Sequence, residues 1–142
     1  MLGFDLRDNS TFDSVWPIIS NKHSIAVNQA WHGDAGRLVA QSDTMVTLPN
    51  CSWFNTKDCK HPAWMVWKKA LSDSSAAVLL MNNDAKAADV SVQLSQLQLK
   101  CTSSSYDVQS LYEGNKSLGT FKGEFTASAL PSHDSSFIVA SC

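Results

Sequence analysis

A chain of 142 residues, 44% apolar and 17% charged, is long enough for one ordinary core and too apolar for disorder. Its formal charge of -2 is spread over interspersed acids and bases, with no basic run longer than Lys68-Lys69, which excludes an electrostatic footprint for nucleic acid or an anionic membrane surface. The longest apolar run, residues 76–81, falls far short of the roughly 20 residues that span a bilayer, so the chain reads as soluble.

Residues 1–4 read as the end of a buried strand, and Asp5, Leu6 and Arg7 as the loop that follows it. Val15, Trp16, Ile18 and Ile19 then have the spacing of a helix face. Pro17 decides where that helix starts. A cap at Ser10 would leave the proline in the helix interior at a cost of about 3 kcal/mol, whereas a cap at Asp13 or Ser14 avoids it. The expected helix is therefore short, residues 14–21, with 23–29 as a second turn or short extended piece. A strand end and one helix cannot bury their own apolar face and must lean on another layer.

After Gly33 and Gly36 the pattern changes to short β segments. Residues 64–71, 76–81, 90–94, 106–111, 119–127 and 137–140 have strand length and β-rich composition, and 38–48 adds one or two more. Val90, Val92 and Leu94 alternate with Ser91 and Gln93, as one buried face requires. Residues 76–81 are apolar on both faces, which predicts a central strand. Turn residues at 72–74, 82–84, 113–115 and 131–133 space these segments as an antiparallel β-sandwich.

Four cysteines, Cys51, Cys59, Cys101 and Cys142, contain no CxxC pair, and no histidine stands at zinc-finger spacing from two of them. Disulfides fit better than a metal. Of three possible pairings, Cys51 with Cys59 is the natural local one because the loop between them is polar, which leaves Cys101 for Cys142. Sequons at Asn9, Asn50 and Asn115 point to the secretory route, secreted or lysosomal/vacuolar, and to a glycoprotein. The stretch from Met1 to Asp5 has no cationic region and no apolar core, so a secretory leader is expected to lie upstream of this sequence.

Two blocks of this sequence carry a family resemblance. Gly3, Asp5, Leu6 and Arg7, followed by Asn21, Lys22, Ile25, Ala26, Asn28, Gln29, Gly33, Gly36 and Arg37, are similar to the segment of family 27 glycoside hydrolases that joins the last barrel strand and helix to the C-terminal domain. Further on, VWKKALSDSSAAVLLMNND resembles a hairpin of the same enzymes, the α-galactosidases and α-N-acetylgalactosaminidases, and SLYEGNKSLGTFKGEFTASALPSHDSSFIVAS resembles their ending. The likeness covers most of the chain in order. It departs at Ala30, Trp31 and His32, where the family has Asp-Pro-Leu, and in a longer link over residues 45–62.

The resemblance implies a mainly β fold: residues 1–36 as a remnant of a (β/α)8 barrel, comprising a strand end, a short helix and a connector, and residues 37–142 as an antiparallel β-sandwich. It also implies a missing (β/α)8 catalytic barrel as partner, since a barrel alone needs about 250 residues. Hydrolysis in that family is retaining, with one carboxylate as nucleophile and a second as acid and base. Both lie on earlier barrel strands, upstream of the segment matched here. No catalytic residue is therefore assigned in this chain, Asp5 takes a structural role, and the 142 residues alone are expected to be inactive.

No other chemistry stands out. There is no GxSxG elbow, Ser132, His133 and Asp134 share a predicted turn, and His23, His32 and His61 have no partner at ligand spacing. No phosphate loop or cofactor signature is present, and no cofactor is expected. Five tryptophans are many for this length. Trp53, in the cysteine-bounded loop, and Trp31, in the connector, are candidates for stacking on sugar rings of α-galactoside-containing glycans. Trp64 and Trp67 are at odd spacing on one strand and face opposite sides; the resemblance puts Trp67 in the core and Trp16 against the barrel. The competing readings are a structural domain of such an enzyme, with a possible homodimer, and a self-standing carbohydrate-binding or structural module. Exposure of Val15, Trp16, Ile18 and Ile19 would mark an interface surface, and their burial on the sandwich a self-contained unit.

Overall fold

The computed structural model describes residues 9–47 and 59–142. Among these, two helices, α1 (Asn9–Ile19) and α2 (Lys22–Gln29), precede ten strands: β1 (Arg37–Gln41), β2 (Met45–Thr47), β3 (Lys60–Pro62), β4 (Trp64–Ser72), β5 (Ser75–Asn82), β6 (Ala88–Gln93), β7 (Ser105–Ser110), β8 (Lys116–Lys122), β9 (Glu124–Leu130) and β10 (Ser135–Ser141). Every pairing is antiparallel. Six strands form one sheet in the order β1-β4-β5-β10-β7-β8; β6 and β9 make a two-stranded ribbon, and β2 and β3 a short pair.

Alternation along the strands sorts side chains into two layers. Val66 on β4, Val78 and Leu80 on β5, Val108 on β7, and Ile138 and Ala140 on β10 pack against Val90 and Val92 of β6, Phe125 and Leu130 of β9, and a 3-10 turn at Leu94–Leu97. This is the sandwich core. The opposite face of the same sheet carries a second, smaller cluster in which Ala77 and Leu111 meet Val27 of α2, with Leu71, Phe137 and Val139 packed around them. β5 thus lies between two apolar layers, as its uninterrupted apolar run predicted.

Several expectations are corrected. α1 begins at Asn9, not near residue 14, and holds Pro17 in its last turn. There the missing N–H forfeits only the bond to the carbonyl of Asp13, while Phe12 and Trp16 stack at 5.0 Å one turn apart and Ser20 returns its N–H (2.9 Å) and hydroxyl (2.6 Å) to the Trp16 carbonyl. Residues 23–29 are not a turn or extended piece but most of α2, because the Asn21 side chain caps it by accepting from the His23 and Ser24 amides, each at 3.0 Å. The single strand expected over 119–127 is two, β8 and β9. Gly123, at φ +78°, turns the chain from the sheet into the ribbon, a conformation that costs a non-glycine residue. Trp67 is not core: it is 38% exposed, whereas Trp64 packs on the sandwich core. Its neighbours Val66 and Lys68 take the inward positions, Lys68 burying its stem and donating from Nζ to the Leu97 carbonyl. Residues 1–8 and 48–58, with the expected strand end, Asp5, Asn50, Cys51 and Trp53, lie outside the described residues.

Asn82 ties the two layers together at one end of the sandwich. It is 1% exposed and its amide shares two hydrogens among the carbonyls of Lys86 (2.8 Å), Leu130 (2.9 Å) and Pro131 (2.9 Å), while its oxygen accepts from the Asp84 amide (2.9 Å). At the far end, Cys101 and Cys142 form a disulfide with Cα atoms 5.7 Å apart, joining the approach to β7 to the exit of β10. Cys59 is also disulfide-bonded.

Two outcomes follow for stability. Asn82→Ala leaves buried carbonyls without a donor and should lower the unfolding free energy by about 2 kcal/mol or more, with the urea midpoint falling at unchanged m. Loss of the Cys101–Cys142 bond through Cys101→Ser with Cys142→Ser, across a sequence separation of 41, should cost about 4 kcal/mol by loop entropy, checked by the same denaturation.

Candidate functional site

The face of the six-stranded sheet turned away from the ribbon is where the sequence places its functional questions. α2 is short and has no acidic residue in its first turn and no basic residue in its last, so little in the helix itself holds it. Two side chains hold it instead. Asn21, besides capping its N-terminus, donates from Nδ2 to the Leu111 carbonyl at 3.1 Å. Lys69, on the outer face of β4, donates from Nζ to the Val27 and Asn28 carbonyls at 2.8 and 3.0 Å, meeting the negative end of the helix with a cation.

Beside α2 runs a cross-strand row of Trp67, Leu79 and Phe137, in register on β4, β5 and β10. Helix and row enclose an open cleft of about 470 Å³, whose lining includes Ser24, Asn28 and Lys69. The Ser24 hydroxyl is shut from solvent and has no hydrogen-bond partner among the described residues. α1 leaves apolar surface uncovered: Trp16 is 48% exposed and Ile18 65%. Val15 and Ile19 are half-buried. Between the end of α1 and the sheet a second cleft, about 360 Å³, is lined by Pro17, Ile18, Asn21, Tyr112, Asp134 and Ser135.

The connector from α2 to β1 is pinned by polar contacts. His32 Nε2 lies 3.2 Å and Lys100 Nζ 3.1 Å from the two oxygens of Asp73. Hydrogen bonds from Lys100 and then His32 hold the Asp73 carboxyl below its usual range, so this tie is complete at neutral pH and is lost as acid titrates Asp73 through that lowered value. Arg37 donates to Gln98 Oε1 at 2.6 Å. Burial, and next the Arg37 cation, pull the Lys68 ammonium below the ordinary lysine range, with Asp34 opposing. Gly36, at φ +114°, crosses β4 so closely that a Cβ would stand 3.2 Å from the Lys68 carbonyl oxygen.

Of the residues singled out in the sequence, Trp31 is in this connector and is 72% exposed. Its proposed companion Trp53 is outside the described residues. Asn9 opens α1 and Asn115 sits in the β7–β8 turn, both exposed. Ser132, His133 and Asp134 occupy a turn as expected, with Asp134 accepting from the Ser135 amide at 2.7 Å. The described residues contain no group of three or more metal-ligating side chains. Lys69, Asn21 and Tyr112 were missed: an asparagine followed by helix-compatible residues is a cap signal for Asn21, while Lys69 acts on carbonyls 41 and 42 residues away, which no local pattern shows.

Comparison with known proteins agrees with this architecture. The family model of the α-galactosidase C-terminal β-sandwich domain matches residues 62–140, more than half of the chain. Among solved structures, α-galactosidase I from Mortierella vinacea is 23% identical with a TM-score of 0.70, over 98% of this chain and 30% of that one. A putative α-N-acetylgalactosaminidase from Bacillus halodurans is 16% identical, TM-score 0.70, over 99% and 28%. A family 27 β-L-arabinopyranosidase from Geobacillus stearothermophilus is 19% identical, TM-score 0.66, over 95% and 24%. At these identities the likeness is one of fold, and the chain spans less than a third of each of these three proteins. No curated protein sequence matches. With the sandwich core, its strand order and the family model in agreement, this chain belongs to the α-galactosidase C-terminal β-sandwich domains of family 27 glycoside hydrolases.

Proposed function

We propose that this chain is the C-terminal domain of a glycosidase acting on terminal α-galactosides, and that its sandwich backs a (β/α)8 catalytic barrel which carries both catalytic carboxylates. The observation that supports this reading is the uncovered apolar surface of α1, with Trp16 and Ile18 exposed beside the helix-bearing face. A soluble domain leaves such a surface where another layer closes on it. The resemblance of residues 1–36 to the end of a barrel makes that layer the barrel itself, and residues 37–142 the support. The chain then contributes rigidity and interface rather than bond cleavage. The disulfide of Cys101 with Cys142 favours an oxidising compartment, secreted or lysosomal/vacuolar.

The exposure of Trp31 supports a second reading, a module that holds α-galactoside glycans by stacking. The two separate cleanly in one set of samples. The purified chain should give no turnover of a chromogenic α-galactoside, and Trp16→Ser with Ile18→Asp should remove roughly half of its binding of a hydrophobic dye such as anilinonaphthalene sulfonate. Turnover above the blank would put the catalytic groups inside this chain and overturn the proposal. Saturable quenching of tryptophan fluorescence by melibiose, abolished by Trp31→Ala, would favour the glycan-binding module instead.

A further inference from the structure

We infer that Asn115 is an N-glycosylation site whose first sugar seats in a groove beside α2 and braces that helix on the sheet. The sequon Asn115-Lys116-Ser117 opens β8, the outermost strand of the six-stranded sheet. Asn115 stands in a tight turn at φ +63°, its backbone N–H spent on the Ser110 carbonyl at 2.9 Å, and the turn is closed by an ion pair of Lys116 with Glu113 at 2.8 Å. Its side chain is exposed and no hydrogen bond of its amide is found among the described residues; Ser117 is exposed as well. Folding therefore leaves the acceptor side chain accessible, whereas Asn9 lies in the first turn of α1, next to the apolar surface that the barrel is proposed to cover.

What singles out Asn115 is the surface beside it. It stands at the rim of a mainly apolar groove of about 300 Å³ between α2 and the sheet, floored by Ala26, Leu71, Leu111 and Val139, with His23 on its wall. A pyranose ring presents an apolar C–H face to such a floor and its hydroxyls to water and to the imidazole. The attachment fixes the occupant: a sugar bonded to Asn115 is tethered at the groove mouth, where its high effective concentration lets weak contacts seat it. In the transfer, Asn115 Nδ2 forms a bond to C1 of the sugar as the C1–O bond to a lipid-linked diphosphate breaks. The diphosphate leaves with the electron pair and the amide gives up one proton. Bulk beside β8 also shields an edge strand from pairing with another chain.

The test is to produce the chain through a eukaryotic secretory pathway and map glycopeptides, alongside Asn115→Gln, Ser117→Ala and Asn9→Gln. Asn115 should be occupied, and Asn115→Gln and Ser117→Ala should each remove that glycan while Asn9→Gln leaves it. An empty Asn115 in the secreted, folded chain overturns the site. With the glycan trimmed enzymatically to one N-acetylglucosamine, backbone amides of residues 26–30 should exchange about threefold more slowly than in Asn115→Gln. Equal exchange in the two would leave a glycan that does not seat, and would overturn the bracing role. Neither readout depends on catalysis, so the result stands apart from the proposed part in an α-galactosidase.

Discussion

The structure depends on one constraint: β5 has no polar side chain between its ends, so both of its faces must be kept from water. Val78 and Leu80 satisfy this on one side by meeting the ribbon of β6 and β9, and Ala77 on the other by meeting Val27 of α2. A sandwich alone would cover only the first. Val27 of α2 therefore supplies part of the second layer that the sheet needs. The row of Trp67, Leu79 and Phe137 and the cleft beside α2 lie on this same face, where a catalytic partner is proposed to sit.

Polar groups complete what burial begins. α2 contributes little helical propensity and is held at one end by Asn21 and at the other by Lys69, each bonding main-chain groups outside its own neighbourhood. Because such bonds are directional, they set the register of the helix on the sheet as well as its attachment. The connector that follows is tied down separately, by Asp73 with His32 and Lys100 and by Arg37 with Gln98. The surface proposed to meet a partner is thus assembled from three segments, α1, α2 and the connector, each fixed by different residues of the sandwich or of its own turns.

How far this was legible in the sequence varied with the range of the interaction concerned. Residues 76–81 announced a central strand because composition alone decides that question. The hairpin turn at 72–74 was equally plain. α2 was hidden because Ile25 and Val27 weaken helical propensity and its stabilising partners lie far along the chain. Trp67 was placed in the core on the strength of the family resemblance, but Lys68 takes the inward position beside it, made tolerable by the carbonyl of Leu97 on the opposite layer. Phe121 and Phe125 looked like two residues of one strand, yet Gly123 puts them in different layers, where their rings meet edge to face at 5.1 Å. Of the candidate site, the kinds of residue were visible in advance, namely exposed tryptophan, sequons and cysteines. Their mutual arrangement was not, since it is set by packing between segments 40 or more residues apart.

The strand order carries a consequence for the life of the polypeptide. β10 follows every other strand in the chain but is inserted between β5 and β7, pairing with both. Until it arrives, the sheet is two separate pieces, β1-β4-β5 and β7-β8, each with a bare edge and an uncovered face. The domain therefore cannot close before β10 is in place, and loop closure over the whole sandwich is the step that must wait. Completion of the sheet thus rests on seven residues: without Ser135–Ser141 the two pieces would keep open edges, the kind of strand edge that pairs with other chains.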